Sequence, residues 1–388
     1  MHGLTIKETT TGVRVIANSS LAVIGLIATA TTTGDADAIA ALDAAYPLNT
    51  PVLIAGGVDA AAAQAGDGGT LAAALTAIAD QSSAIVVVVR VAEGVDQDAT
   101  DVNVIGDTDG ETYTGLQALL AAEAQLGVAP RIIGAPGLDT QIVTAEMVTI
   151  AQKLRGFAYA AAIGADLAAA IVYRANFAAR ELMLIWPDTS AAATFPGDIV
   201  ARTLGLRAQI DEETGWHKTI SNVALNGVLG ISHDVHFDLL DPSTPAGLLN
   251  DAEVTTIIRS NGYRLWGNRT CADETQPEFA FESAVRTSHA LQDIIAASVA
   301  PFLDQPMTSG LIKDLLETGN AAFRQLAVEG KIIGAKMFFD ADENSAGELA
   351  AGRPKFRIQY TPAAPLENPQ IDLQITDYYY TGFADQLV

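Results

Sequence analysis

Two histidines near the middle of the chain have the spacing of a metal site. His233 and His236 form an H-x-x-H pattern within the segment SHDVHFD. On a helix both imidazoles would lie on one side and could bind a metal ion. On a strand, which the composition favours, they point to opposite faces. Because no third ligand is evident in the sequence, we interpret them as ordinary surface or interface histidines.

An acidic loop imitates part of a calcium site. Asp340, Asp342 and Asn344 match the first three ligands of a calcium-binding loop. However, Ser345 occupies the position that requires glycine, and Ala351 occupies the position that requires glutamate. We therefore predict a solvated loop rather than a metal centre.

Cys271 is the only cysteine of the chain, so no disulfide can form within one subunit. This fits a reducing compartment or the absence of a redox role. The neighbouring Asp273 and Glu274 are expected to raise the pKa of the thiol instead of activating it. A buried or interfacial small residue is the better interpretation.

The motifs of nucleotide-binding enzymes do not match. The segment Gly330–Ile332 reads GKI and Gln325 occupies the place of the first glycine, so there is no phosphate-binding loop. Neither Gly66–Gly69 nor the loop Thr29–Gly34 has the G-x-G-x-x-G spacing of a dinucleotide site. We therefore expect no enzymatic activity, no cofactor and no metal, and keep a nucleotide-binding α/β enzyme as the first alternative.

Composition sets broad limits on partners. The 388 residues, 49% of them hydrophobic, are enough for two or three domains with sizeable cores. With 22 basic against 46 acidic residues, the formal charge of −24 repels nucleic acid and anionic lipid. No apolar run reaches the ~18 residues of a membrane span. The apolar run Leu21–Ala30 is interpreted as a buried strand, not as a signal peptide.

Apolar strands alternate with Ala-rich helical stretches over the first half of the chain. This alternation predicts a mostly parallel α/β sheet covered on both faces, in a domain over residues 21–260. Residues 95–115 are expected to form an inserted hairpin or small subdomain. The predicted strands are Leu21–Ala28, Val52–Ala55, Ile85–Val91, Arg131–Gly134, Phe157–Ile163 and Glu181–Trp186. The predicted helices are Asp35–Ala45, Thr70–Asp80, Thr114–Leu126, Thr140–Leu154 and Asp166–Asn176.

The pattern becomes irregular from Arg202 to Asn250, after which a short helix is expected over Ala252–Ser260. Residues 261–366 are predicted to form an α+β core domain that opens on a strand at Tyr263–Gly267. Its further elements are two long helices and two strands, at Glu282–Ala300, Thr308–Glu329, Ile332–Phe339 and Lys355–Thr361.

Both termini are strand-prone arms, over residues 1–20 and 367–388. In the C-terminal arm three apolar residues alternate with polar ones, which places them on one face of a strand. Three prolines upstream hold this strand off the preceding domain. It can pair within its own subunit or add to the sheet edge of a neighbouring copy, and we favour the second. The predicted arm contacts are Leu4, Ile6, Val13, Val15, Ile371, Leu373 and Ile375.

A basic segment stands out against the acidic background. Lys313, Arg324, Lys331 and Lys336 fall among apolar residues with helical spacing. One interpretation is an amphipathic core helix whose charges face water. The other is a helix that docks on an acidic partner.

Eight segments occur in one order along the chain and together have a recognisable pattern. The first four are the N-terminal HGLTIKETTTGVRVIANSSLAVIGLIATA, SAIVVVVRV, RIIGAPGLDT and the strand that ends in WPD. The most specific are GWHKTISNVALNGVLGI and LNDAEVTTIIRSNGYRLWGNRT, and FESAVRTSHALQDII and SGLIKDLLETGNAAFRQL follow them. In this order the segments resemble the tail sheath protein of contractile bacteriophages and R-type bacteriocins.

The resemblance implies a structural subunit. Sheaths of this family stack as hexameric rings in a helical tube around a tail tube, and their terminal arms pair with the C-terminal domains of neighbours. Contraction drives the tube through the host envelope. It implies a virion or bacteriocin particle assembled in the host cytoplasm, with the tail tube protein, baseplate and tail terminator as partners. It implies neither nucleic-acid binding nor direct membrane insertion.

Under this resemblance the α/β domain is the outer portion, while the arms and the last third form the inner core. Lys313, Arg324 and Lys331 then become candidates for a weak, releasable tube contact. The second alternative is the tail tube itself or another self-assembling surface-layer protein.

Overall fold

A computed structural model describes residues 21–190, 195–381 and 383. The predicted arm residues Leu4, Ile6, Val13 and Val15 lie outside them. The strands of the described part are β1 Ile24–Thr31, β2 Pro51–Ala55, β3 Gly68–Gly69, β4 Ile85–Val91, β5 Thr108–Asp109, β6 Thr112–Tyr113, β7 Ile132–Gly134, β8 Phe157–Ala161, β9 Leu182–Ile185, β10 Val254–Arg259, β11 Tyr263–Trp266, β12 Ile332–Phe339 and β13 Phe356–Pro362.

The helices of the described part are α1 Ala36–Ala45, α2 Val58–Ala62, α3 Leu71–Ala79, α4 Gln97–Ile105, α5 Ala122–Leu126, α6 Gln141–Leu154, α7 Leu167–Arg174, α8 Asp198–Glu213, α9 Pro245–Asp251, α10 Glu282–Val299, α11 Ser309–Val328 and α12 Ala346–Ala350. Short 3₁₀ turns lie at Gly115–Ala121, Pro277–Phe279, Ala300–Phe302, Ala341–Glu343 and Tyr378–Tyr380.

A nine-stranded sheet forms the centre of the larger part, in the order β11-β10-β9-β8-β7-β1-β4-β2, with β3 paired to β1. The strands from β10 to β4 are parallel, while β2, β3 and β11 are antiparallel to their neighbours. The predicted mostly parallel α/β sheet is therefore confirmed.

Two apolar clusters cover the two faces of this sheet. On β4, Val86 and Val88 join one cluster, and Val87 and Val89 join the other. A strand buried on both faces needs apolar side chains at every position, which explains the continuous IVVVV run.

Two sequence predictions between residues 198 and 260 are wrong. The expected helix Ala252–Ser260 is strand β10, because the β-branched run VTTII fits the sheet beside β9. Conversely, α8 lies partly within the segment predicted to be irregular. Twelve of its sixteen residues are buried, so it lacks the apolar stripe by which a surface helix is recognised.

The boundaries of two predicted units also change. β11 pairs with β10, so a boundary between residues 260 and 261 would separate two hydrogen-bonded strands. The insertion at residues 95–115 begins as a helix, α4, whose N-terminus is capped by Asp96, and only then forms the small β5–β6 hairpin. A run of Asp, Gly and Thr indicated a turn but concealed the helix.

A smaller unit follows, built from α10, α11 and the antiparallel pair β12–β13. These four elements confirm the predicted helices and strands of the last third. Their own apolar cluster includes Leu291, Leu315, Phe323 and Met337. α10 connects this unit to the amino ends of the parallel strands, where Arg131 and Arg155 both contact Asp293.

Candidate assembly interface

The chain beyond β13 carries an unusual number of exposed apolar side chains. Residues 363–376 form neither helix nor strand. Ile371, Leu373 and Ile375 are 86%, 96% and 97% exposed, so the alternating segment does not pair with any other described part of the chain. Tyr378–Tyr380 and Phe383 follow and are exposed as well. Contiguous exposed apolar surface of this kind marks an interaction site.

One surface ion pair ties the start of this tail to the α/β domain. Arg269 Nε donates to Glu367 Oε1 over 2.9 Å, and both side chains are about one third exposed. An exposed pair of this type stabilises by less than ~1 kcal/mol. The tail is therefore held near Arg269 only weakly.

The β12–β13 pair lies next to the point where the tail leaves the fold. Phe356, Ile358 and Tyr360 of β13 turn their side chains towards the apolar cluster of α10 and α11, while the intervening residues face outward. In the described chain these two strands pair only with each other. A two-stranded sheet is marginal by itself and gains stability when another strand is added.

Two of the three predicted tube-contact residues, Arg324 and Lys331, have partners within the subunit. Arg324 forms an ion pair with Glu317 on the exposed side of α11. Lys331 Nζ lies 2.8 Å from Glu329 and 5.2 Å from the centroid of the Trp216 ring, which places it at the junction of the two units. Lys313 is exposed on α11. The surface of α11 is thus of mixed charge and not a continuous basic patch.

A buried ionic network joins α8 to α10 and was not predicted. Arg207 Nη2 donates to Asp211 over 2.8 Å, and its Nη1 lies 3.1 Å from Glu282. Arg286 contacts Asp211, and the Tyr159 hydroxyl donates to Glu282. The four charged side chains are at most 3% exposed and balance in charge. The sequence signal that could have revealed this network is one acid–base pair at i,i+4 spacing on each helix: Arg207–Asp211 on α8 and Glu282–Arg286 on α10.

Electrostatic balance explains how this network tolerates burial. Burial alone would lower the pKa of Arg207, but Asp211 and Glu282 outweigh it and raise that pKa. Burial raises the pKa of Asp211, and the two arginines oppose this change. Ions buried in this way are tolerated only when they are paired.

The candidate metal and thiol sites show structural roles. His233 and His236 are exposed loop residues, and His233 stacks on Trp186 with ring centroids 5.1 Å apart. Asn344 uses its side chain to bind the backbone of Asp340 and Lys355, as part of a turn. Among the described residues, no three His, Cys, Asp or Glu side chains are grouped as metal ligands.

Cys271 is fully buried, and burial raises the pKa of its thiol to about 12. The predicted direction of the shift is right, but the predicted cause is wrong. Desolvation dominates, with Glu253 and not Asp273 or Glu274 as the acidic contributor. Cys271 is therefore a small residue of the apolar core.

The position where an α/β enzyme would bind a nucleotide is occupied by the chain itself. In such sheets ligands bind at the carboxyl ends of strands where the strand order reverses, here beside β1 and β7. β3 pairs with the end of β1, and Thr70 N donates to Thr29 O over 2.9 Å. The Asp67 carboxylate accepts from Thr33 N at 2.8 Å and would repel a phosphate.

No helix among the described residues is long and apolar enough to cross a bilayer.

Comparison with known structures identifies the class of fold. The helical sheath of the anti-feeding prophage in its contracted state superposes with a TM-score of 0.68 at 17% identity, covering 97% of this chain and 98% of that one. The fold is therefore that of a contractile-sheath subunit.

Sequence comparison identifies the family. Residues 111–271 match the phage tail sheath protein central domain. The chain is 46% identical to the tail sheath protein of Escherichia phage P2 over 97% of this chain and 96% of that protein. It is 41% identical to the major tail sheath protein of Serratia phage KSP20, over 98% and 96% of the two chains. The chain belongs to the phage tail sheath family, whose members are structural proteins.

Proposed function

We propose that this protein assembles as stacked hexameric rings around a tail tube and contracts to drive that tube through the host envelope. The observation that carries the proposal is the exposed alternating segment Ile371–Ile375, which has no strand partner among the described residues of its own chain. A strand with one apolar face is stable in water only when a sheet accepts it. A second copy of the same chain supplies such a sheet in β12–β13.

Strand exchange of this kind suits a structure that changes shape. Main-chain hydrogen bonds between subunits are the same in the extended and the contracted state, so they connect subunits without favouring either state. The proline-containing stretch 361–370 then acts as a hinge, as does the Thr-rich joint at residues 8–12. Changing contacts between the α/β domains supply the energy difference.

Lys313, Arg324 and Lys331 are proposed to contact the tube protein. Arg324 is already paired to Glu317 on an exposed surface, so an acidic partner exchanges with Glu317 at little cost. This fits a contact that must release during contraction. The baseplate and tail terminator are proposed as further partners, in a particle assembled in the host cytoplasm.

The experiment compares the full chain with a truncation that ends at Leu366, by size-exclusion chromatography and negative-stain microscopy. Tubes or rings from the full chain, with a folded but monomeric truncation, support the proposal. Equal assembly of both proteins would show that contacts other than the C-terminal arm hold the sheath together. Unfolding of the truncation would place the arm in its own subunit's core.

A further inference from the structure

The two edges of the β12–β13 pair differ in their capacity to accept another strand. Asn320, on α11, reaches the backbone of Met337 in the middle of β12. Met337 N donates to Asn320 Oδ1 over 2.8 Å, and Asn320 Nδ2 donates to Met337 O over 2.9 Å. One side chain thus occupies the donor and the acceptor that an added strand would use.

The close approach of α11 makes this contact possible. A Cβ atom on Gly319 would lie 3.1 Å from the sulfur of Met337, so only glycine fits here without displacing that side chain. The short Asn320 side chain then spans the remaining gap to the backbone of β12.

The register shows which edge stays open. Met337 lies opposite Ile358, and the bonds to Asn320 direct the Met337 backbone away from β13. Hydrogen-bonded and non-hydrogen-bonded residue pairs alternate along an antiparallel ladder, and Met337–Ile358 is a non-hydrogen-bonded pair. The backbone N–H and C=O groups of Phe356, Ile358 and Tyr360 therefore point to the outer edge of β13. No hydrogen bond links these groups to any other described segment. β13 therefore presents an open edge, whereas the middle of the β12 edge, at Met337, is occupied by Asn320.

We propose that β13 is the acceptor edge for Ile371–Ile375 of a second copy, and that Asn320 directs the strand there by closing β12. This inference rests on the proposed function. Seven residues of β13 span ~23 Å, enough for a five-residue strand of ~17 Å. Phe356, Ile358 and Tyr360 also turn inward, so the three apolar side chains of the tail would extend the same apolar face.

Two paired positions on the outer face distinguish the edges. Lys336 on β12 and Gln359 on β13 lie directly opposite each other, and both are exposed. A strand on the β13 edge lies about 5 Å from Gln359 and about 10 Å from Lys336. A disulfide requires Cα atoms within about 7 Å, so only the nearer position can be linked.

The test combines Gln359→Cys or Lys336→Cys with Asp372→Cys or Gln374→Cys in the full chain, followed by mild oxidation of assembled material. The buried Cys271 stays unreactive. We expect a ladder of linked chains on a non-reducing gel with Gln359→Cys and none with Lys336→Cys. Linkage through Lys336→Cys instead would overturn the edge assignment while leaving strand exchange intact. Assembly without linkage at either position would overturn pairing with this sheet, and with it the arm pairing of the proposed function.

The role of Asn320 is tested by adding Asn320→Ala to the Lys336→Cys pairs. Opening the β12 edge should make these pairs link. Asn344→Ala is the matched control, because Asn344 makes the same two-bond contact with Lys355 but at the end of the ladder. Linkage that stays absent after Asn320→Ala, or that appears equally after Asn344→Ala, would refute the blocking role.

Discussion

Replacing Arg207 by methionine should destabilise the folded subunit strongly. Methionine keeps much of the side-chain volume but leaves Asp211 and Glu282 with one arginine between them, at positions that are at most 2% exposed. Removing one partner of a buried pair costs about 3–5 kcal/mol, because the remaining charge is left uncompensated. At about 2 °C per kcal/mol for a large domain, the midpoint of thermal unfolding should fall by ~6–10 °C.

Differential scanning calorimetry and urea unfolding of the Leu366 truncation measure this change without interference from assembly. Arg353→Met is the matched control, since its pair with Glu348 is exposed and should contribute less than ~1 kcal/mol. Adding Glu282→Gln to Arg207→Met restores the charge balance and should recover part of the loss. If Arg207→Met shifts the midpoint no more than Arg353→Met, the network does not stabilise the junction and this reasoning is wrong.

Three further predictions concern the core, the tail and the tube contact. Burial raises the pKa of Asp139 from 3.8 to about 6, so the folded state keeps a proton that the unfolded chain loses. Stability should fall as pH rises from about 4 to about 6, and Asp139→Asn should flatten that dependence in urea titrations. Replacing Ile371, Leu373 and Ile375 together by serine should abolish assembly, as measured by sedimentation. The midpoint of thermal unfolding should stay within ~1 °C of the wild-type value, because these three side chains are exposed in the subunit. Lys313→Glu should weaken co-sedimentation with the tail tube protein at low salt, and the difference from wild type should vanish at high salt if the contact is electrostatic.

The parallel sheet was predictable because burial on both faces leaves a clear mark on the sequence. Strands such as IVVVVRV are apolar except for Arg90, and the helices between them have capping residues such as Asp35 and Asp166. α8 and β10 were misjudged for opposite reasons. α8 is buried on nearly all sides and has no periodic stripe, while β10 follows Asn250 and Asp251, which imitate a helix cap.

The functional surfaces depend on partners that local sequence does not specify. The alternation in Ile371–Ile375 predicts a strand, but none of the described strands of the same subunit pairs with it. Arg207 and Glu282 are separated by 75 residues, so only the folded chain shows that they meet. Asn320 lies on a helix face where nothing in the sequence distinguishes an edge contact from a solvated amide.

Hydrogen exchange of the assembled protein tests the central claim most directly. Peptides covering residues 371–375 and 356–362 should exchange rapidly in the monomer, where their outward amides face solvent, and become protected together on assembly. Protection of both segments is the result that strand exchange predicts. If residues 371–375 exchange as fast in the assembled particle as in the monomer, the C-terminal arm is not an intersubunit strand.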